Sequence, residues 1–136
     1  VIGLLRSDVG DPDDSVEPMP GMVIWNELLA SDVASALAFY QGLAGYRVKV
    51  EERPLGQYYD LRAGGYDRAG VMQRPVDDVE PIWLTHFGVA DVVSATGRAT
   101  QAGGTVLLAP TPKVRDGRMA LIRDPAGAIF ALSQLK

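Results

Sequence analysis

Glu27 and His86 occupy matching places in the sequence. Each lies five residues before an aspartate that opens a helical stretch, Asp32 in one case and Asp91 in the other. A carboxylate beside an imidazole can work as a general base with an orienting partner. The same two side chains can equally form a buried ion pair that only fixes a pocket. Glu27 interrupts the apolar stretch Val23–Leu29 (VIWNELL), so its burial calls for a partner. His86 is the single histidine and there is no cysteine. Thiolate nucleophiles, disulfide scaffolds and zinc ribbons are thereby excluded, as is any site needing two histidines from one chain. Ser94, Thr96 and Thr100 have no neighbouring base and suggest no nucleophile. Asp11, Asp13 and Asp14 lack the glycine and distal glutamate of a calcium loop. Gly64-Gly65 and Gly103-Gly104 lack the flanks of a phosphate loop and read as turns.

A second set of residues suits ligand binding. Strand alternation places Trp25 with Glu27 on one face and Leu84 with His86 on the corresponding face. Tyr58, Tyr59, Tyr66, Met72 and Phe130 are aromatic or soft side chains that fit a flat or apolar ligand. Each also fits an ordinary core. Arg118 and Arg123 lie five apart in a strand-like run, so they point to opposite faces and one of them could meet an anion. Trp83 opens the second half beside Pro81, suited to an edge or a dimer seam.

The elements that must position these residues follow from the remaining pattern. A chain of 136 residues with 47% hydrophobic and 22% charged residues fits one folded domain. The net charge of -4 argues against a nucleic-acid partner, which needs a basic face. No apolar run approaches the roughly 20 residues that span a bilayer, so no membrane partner is expected and a cytoplasmic setting is. Lack of cysteine suits cytosol and exterior alike. Residues 1–21 read as an N-terminal arm or linker, acidic and proline-rich from Arg6 to Pro20. Residues 22–136 read as one domain that repeats itself, with modules at about 22–75 and 81–136. Each copy has a strand, an N-capping Asp, a helix and three further strands. The strands are expected at Val23–Leu29, Arg47–Glu51, Gln57–Arg62 and Ala69–Gln73, then from Ile82, at Thr105–Leu108, Arg118–Arg123 and Ala128–Leu132. Gly42 and Gly45 are expected to stop the first helix, and Gly103-Gly104 the second. Asp32 and Asp91 are 59 residues apart, which sets the repeat.

Two βαβββ units in this order resemble the vicinal oxygen chelate superfamily of glyoxalase I, extradiol dioxygenases and bleomycin-resistance proteins. Asp32 with Phe39-Tyr40, Gly42, Leu43 and Gly45-Tyr46 is similar to that family's first helix. Asp91-Val92 before Gly103-Gly104 is similar to its second. Gly117-Arg118 and Asp124-Pro125-Ala126-Gly127-Ala128 are similar to its closing hairpin. The resemblance covers residues 22–135 and implies an α+β fold, two βαβββ modules forming one open, cleft-bearing barrel. Many members of the most similar subgroup carry two such domains in tandem. Val1–Leu5 resembles the last strand, Ile129–Ser133, so these residues are either the end of a preceding domain or an arm packed on the barrel.

The resemblance also points to where a metal-dependent member would hold its ion. The positions are Trp25, Leu84 and Ala131, with a fourth between Arg53 and Val79, where there is no Glu or His. An indole, an isobutyl group and a methyl offer no donor to a divalent cation. The expectation is therefore metal-independent binding of a small, partly apolar molecule, with no cofactor and with a homodimer or tandem-domain partner. Trp25, Glu27, Tyr58, Met72, Leu84, His86, Arg118 and Phe130 are the candidate ligand-binding residues. One alternative is a lyase, isomerase or dioxygenase of glyoxalase type, using Glu27 and His86 as acid and base. In another form it holds a divalent metal on Glu27, His86 and Asp60. A third reading is a structural half-domain whose cleft has decayed.

Overall fold

In the computed structural model, residues 8–9, 17–54, 56–75 and 80–136 are described. The reading of Val1–Leu5 as a strand lies outside them. The order is β1 (Val23–Ala30), α1 (Val33–Ala44), β2 (Arg47–Arg53), β3 (Gly56–Ala63) and β4 (Tyr66–Gln73). The second module follows as β5 (Ile82–Val89), α2 (Val92–Gln101), β6 (Thr105–Leu108), β7 (Met119–Arg123) and β8 (Ile129–Gln134). A tight turn at Arg115–Gly117 precedes β7. The expected βαβββ repeat is therefore the observed one.

Local chemistry sets the helix ends as the sequence suggests. The Asp32 carboxylate accepts from the Ser35 backbone N–H at 3.0 Å, and that of Asp91 accepts from Ser94 at 2.6 Å. Gly45, with φ of 67°, closes α1 in the left-handed conformation that glycine adopts without a Cβ clash. Gly42 lies inside α1 and stops nothing, which corrects the expectation for that residue. The Asp124 carboxylate accepts from the N–H groups of Ala126 and Ala128, tying the turn between β7 and β8.

The eight strands form one sheet in the order β2-β3-β4-β1-β5-β8-β7-β6. Among the described residues no strand pairs with its two ends, β2 and β6, so the barrel is open. Within each module the first strand runs parallel to the last, β1 with β4 and β5 with β8. The modules meet where β1 and β5 pair antiparallel, with Trp25 opposite His86 and Glu27 opposite Leu84. Asn26 faces Thr85 across this seam, and the Thr85 hydroxyl donates to the Asn26 side-chain oxygen at 2.9 Å. These two residues are 59 apart, the same interval that separates the capping aspartates. The internal twofold axis therefore passes between them.

The helices cover one face of the sheet. Leu28, Ala30, Leu61, Ala69 and Val71 form the core under α1, meeting Val33, Leu37 and Tyr40. Val92, Ala95, Ala120, Ile122 and Leu132 form the core that joins α2 to the second module. Leu61 and Val71 are fully buried, each worth about 1.5–3 kcal/mol of hydrophobic stabilisation. The opposite face carries a smaller apolar cluster of Leu84, Met119 and Ala131. Among the described residues no helix is long and apolar enough to cross a membrane.

Candidate functional site

The concave face of β1, β3 and β5 carries a chain of polar contacts that ends on a buried carboxylate. The Trp25 indole N–H donates to the Tyr58 hydroxyl oxygen at 2.7 Å. The Tyr58 O–H in turn donates to Glu27 Oε2 at 2.9 Å. Arg115, from the turn before β7, donates through Nη2 to the same oxygen at 2.7 Å. His86 Nε2 stands 3.3 Å from Glu27 Oε1, a close polar contact without the geometry of a well-formed hydrogen bond. His86 Nδ1 lies 2.9 Å from the Ser133 hydroxyl on β8. A proton on Nε2 is the arrangement that avoids opposing a ring lone pair to a carboxylate.

Glu27 is 3% exposed and His86 1%. Burial pushes the Glu27 carboxyl up, but the His86 ring, the Arg115 charge and the Tyr58 hydroxyl outweigh it. The carboxyl therefore sits below its ordinary 4.5. The Tyr58 phenol moves the other way, well above its ordinary value, through burial and then the adjacent Glu27 charge. Its hydroxyl stays protonated and able to donate.

One transverse row explains how Tyr58 reaches across. Lys49, Asp60, Gly70, Glu27 and Leu84 pair in sequence over β2, β3, β4, β1 and β5. Gly70 therefore stands between the two buried carboxylates, Asp60 and Glu27. A Cβ built at Gly70 would overlap the Tyr58 hydroxyl and ring, so the ring lies in the gap that glycine leaves. The Arg53 guanidinium covers the same ring at 3.4 Å from its centroid. Asp60 is buried, with Lys49 at 4.0 Å. Burial, with Glu51 and Asp67 nearby, pushes its carboxyl above the ordinary 3.8.

Beside this network opens a cavity of about 300 Å³. Arg53 and Pro54 at the end of β2, Gly56, Gln57 and Tyr58 of β3, and Met72 of β4 form one wall. Pro112, Lys113, Arg115 and Asp116 form the other. Arg115 and Asp116 both have positive φ, 47° and 54°. Two consecutive non-glycine residues in that region cost energy that the surrounding contacts must offset. The grip of Arg115 on Glu27 is one such contact. Tyr58 and Arg115 thus face the cavity on one side and hold Glu27 on the other.

Of the residues proposed from sequence, the structure brings Trp25, Glu27, Tyr58 and His86 together. Met72 lines the cavity, and Leu84 sits opposite Glu27 in the apolar cluster with Met119 and Ala131. Glu27 and His86 lie behind the cavity wall rather than in it. Phe130 is not brought to the cleft: it packs edge-on against Phe87 in the core joined to α2. Its neighbour Ala131 faces the cleft side, so strand alternation sends Phe130 to the other face. Arg118 precedes β7 and spends its guanidinium on the backbone oxygens of Gln134 and Leu135. Tyr59 packs against the α1 core, and Tyr66 is exposed under Arg68. Arg53, Gln57, Lys113 and Arg115 were not anticipated. Arg115 and Glu27 are 88 residues apart, and a VRDG run signals only a turn.

The residues present do not suit a divalent cation. Trp25, Leu84 and Ala131 supply no donor. Both oxygens of Glu27 already face cationic or hydrogen-bonding partners. Among the described residues no three His, Asp or Glu side chains are grouped to hold an ion, so Asp60 does not join Glu27 and His86.

A family profile described as the Glyoxalase/Bleomycin resistance protein/Dioxygenase superfamily matches residues 23–132. The chain belongs to this superfamily. Two curated members are similar to it. "Putative glyoxylase CFP32" of Mycobacterium bovis is 38% identical over 113 residues, covering 82% of this chain and 43% of that protein. The anthracycline biosynthesis protein DnrV of Streptomyces peucetius is 33% identical over 128 residues, covering 83% and 46%. The chain thus spans less than half the length of the curated relatives it matches. Among solved structures, a hypothetical protein of Bacillus halodurans superposes with a TM-score of 0.63 at 15% identity, over 85% of this chain and 95% of that one. A methylmalonyl-CoA epimerase of Streptomyces coelicolor, in complex with 2-nitronate-propionyl-CoA, gives 0.57 at 17%, with 85% and 95% covered. At these identities the superpositions show the shared superfamily fold alone.

Proposed function

We propose that this superfamily member binds a small, partly apolar molecule in the cavity between β3 and the Arg115 turn, and does so without a metal ion. The observation that carries the reading is the double duty of Tyr58 and Arg115. Both line the cavity, and both are fixed from behind by the buried Glu27 carboxylate. A pocket whose walls are held this way is pre-organised, which lowers the ordering cost of binding. Its volume lies at the small end for ligand sites, and Met72, Pro54 and Pro112 give it apolar surface.

In this reading Glu27 and His86 are positioning residues. A carboxylate held by a guanidinium and a phenol, with its proton affinity lowered, makes a poor general base. The names of the relatives point to a glyoxylase and to anthracycline biosynthesis. A cleft ligand with a flat apolar body is in keeping with the second of these names. Those relatives are more than twice as long as the stretch this chain matches, which leaves room for a second unit beside it, as in a tandem-domain protein.

The test is a ligand-observed NMR screen of aromatic fragments against the wild type and Met72→Trp, whose indole would fill the cavity. Fragments that bind the wild type should fail to bind the variant. Equal binding to both proteins would place the ligand elsewhere and end this reading.

A further inference from the structure

We infer that the cavity takes an organic anion, a carboxylate or phosphate carried on an apolar body, and that Lys113 meets its charge. This rests on the reading of the cavity as the ligand site and names the chemistry that site selects.

Among the described residues, three cations, Arg53, Lys113 and Arg115, line the cavity against one carboxylate, Asp116. The whole chain carries 13 basic and 17 acidic residues. A cationic lining in an acidic protein is therefore a local departure rather than background. The three cations are not equivalent. Arg53 is 2.9 Å from Glu51 and lies flat over Tyr58. Arg115 is 2.7 Å from Glu27. Lys113 has no ion pair or hydrogen bond to any described residue and is solvent-exposed. The first two are engaged by the architecture, and Lys113 lines the cavity with its ammonium free to meet an incoming anion.

The apolar part of such a ligand has its own surface. Met72, Pro54 and Pro112 are open to it, whereas the outer face of Tyr58 is already covered by Arg53. A charge met at Lys113 and a flat body against Met72 and the prolines would use both kinds of wall. A charge-assisted hydrogen bond is about twice as strong as a neutral one, so anion and neutral isostere should differ by about tenfold.

The experiment is isothermal titration with 2-naphthoate, 2-naphthyl phosphate and the neutral 2-naphthamide, against the wild type and Lys113→Gln. Lys113 is exposed and has no polar partner among the described residues, so the variant should fold normally. At least one anion should bind the wild type about tenfold more tightly than the amide, and which one identifies carboxylate or phosphate. In Lys113→Gln that advantage should collapse while affinity for the amide stays the same. Equal affinity for all three probes would overturn the anion inference and leave the cavity reading intact. An anion preference that survives Lys113→Gln would also overturn it. No binding of any probe would sink both.

Discussion

The Tyr58 ring occupies the space that a side chain at position 70 would fill. Gly70 is paired with Glu27 on one side and Asp60 on the other, and only its missing Cβ lets the phenol pass over β4 to the Glu27 carboxylate. The glycine is required for this close approach, since its φ is not in the left-handed region. Gly70→Ala should therefore displace Tyr58 and break both the Trp25–Tyr58 and Tyr58–Glu27 hydrogen bonds. Overpacking of this kind costs about 1–3 kcal/mol. Urea unfolding gives the cost, and Trp25 fluorescence reports the lost hydrogen bond. A variant with unchanged stability and emission would show that the ring sits elsewhere.

Glu27 should impose an acid limb on stability. Its folded value lies below 4.5, so its stabilising contribution is complete above that pH and disappears as pH falls through the lower folded value. Asp32 and Glu51 are also depressed, so the wild-type curve alone does not isolate one group. The difference between wild type and Glu27→Gln does. Glu27→Gln should be less stable near neutrality by about 1–3 kcal/mol, because Arg115 loses a charged acceptor. The two curves should converge as pH falls below the ordinary carboxylate range and wild-type Glu27 takes up its proton. Parallel curves from unfolding series across this range would contradict the account.

Tyr58 should resist alkaline ionisation. Burial and then the neighbouring Glu27 charge raise its phenol, so it stays protonated where a free tyrosine ionises, near pH ~10. Tyr58→Phe should therefore leave the tyrosinate signal in that range unchanged. With five tyrosines in the chain, loss of one fifth of the signal would mean that Tyr58 ionises freely and is not packed on Glu27.

The fold was legible because its signals are local and repeated. Asp32 and Asp91 cap their helices as their types suggest, and the interval between them reappears as Asn26 against Thr85 at the module seam. The match of Glu27 to His86 also followed from the repeat, and strand pairing converts that match into proximity. What the sequence hid depends on distant geometry. Lys113 and Arg115 sit in a turn whose letters say nothing about the cavity it closes. Gly70 looks like any strand glycine until the Tyr58 ring is placed over it. Phe130 departs from the expectation for a different reason: the alternation that turns Ala131 to the cleft side turns Phe130 to the α2 core. Arg118 carried the right chemistry for an anion, but β7 begins one residue later than its pattern suggested, and backbone oxygens claim its guanidinium.

The central claim is a ligand cavity that works without a cation, and titration of 2-naphthoate before and after exhaustive dialysis against EDTA tests it most directly, with metal content read by plasma mass spectrometry. Unchanged affinity with substoichiometric metal in both samples is the predicted result. A divalent ion bound one per chain, whose removal abolishes binding and whose return restores it, would contradict the account.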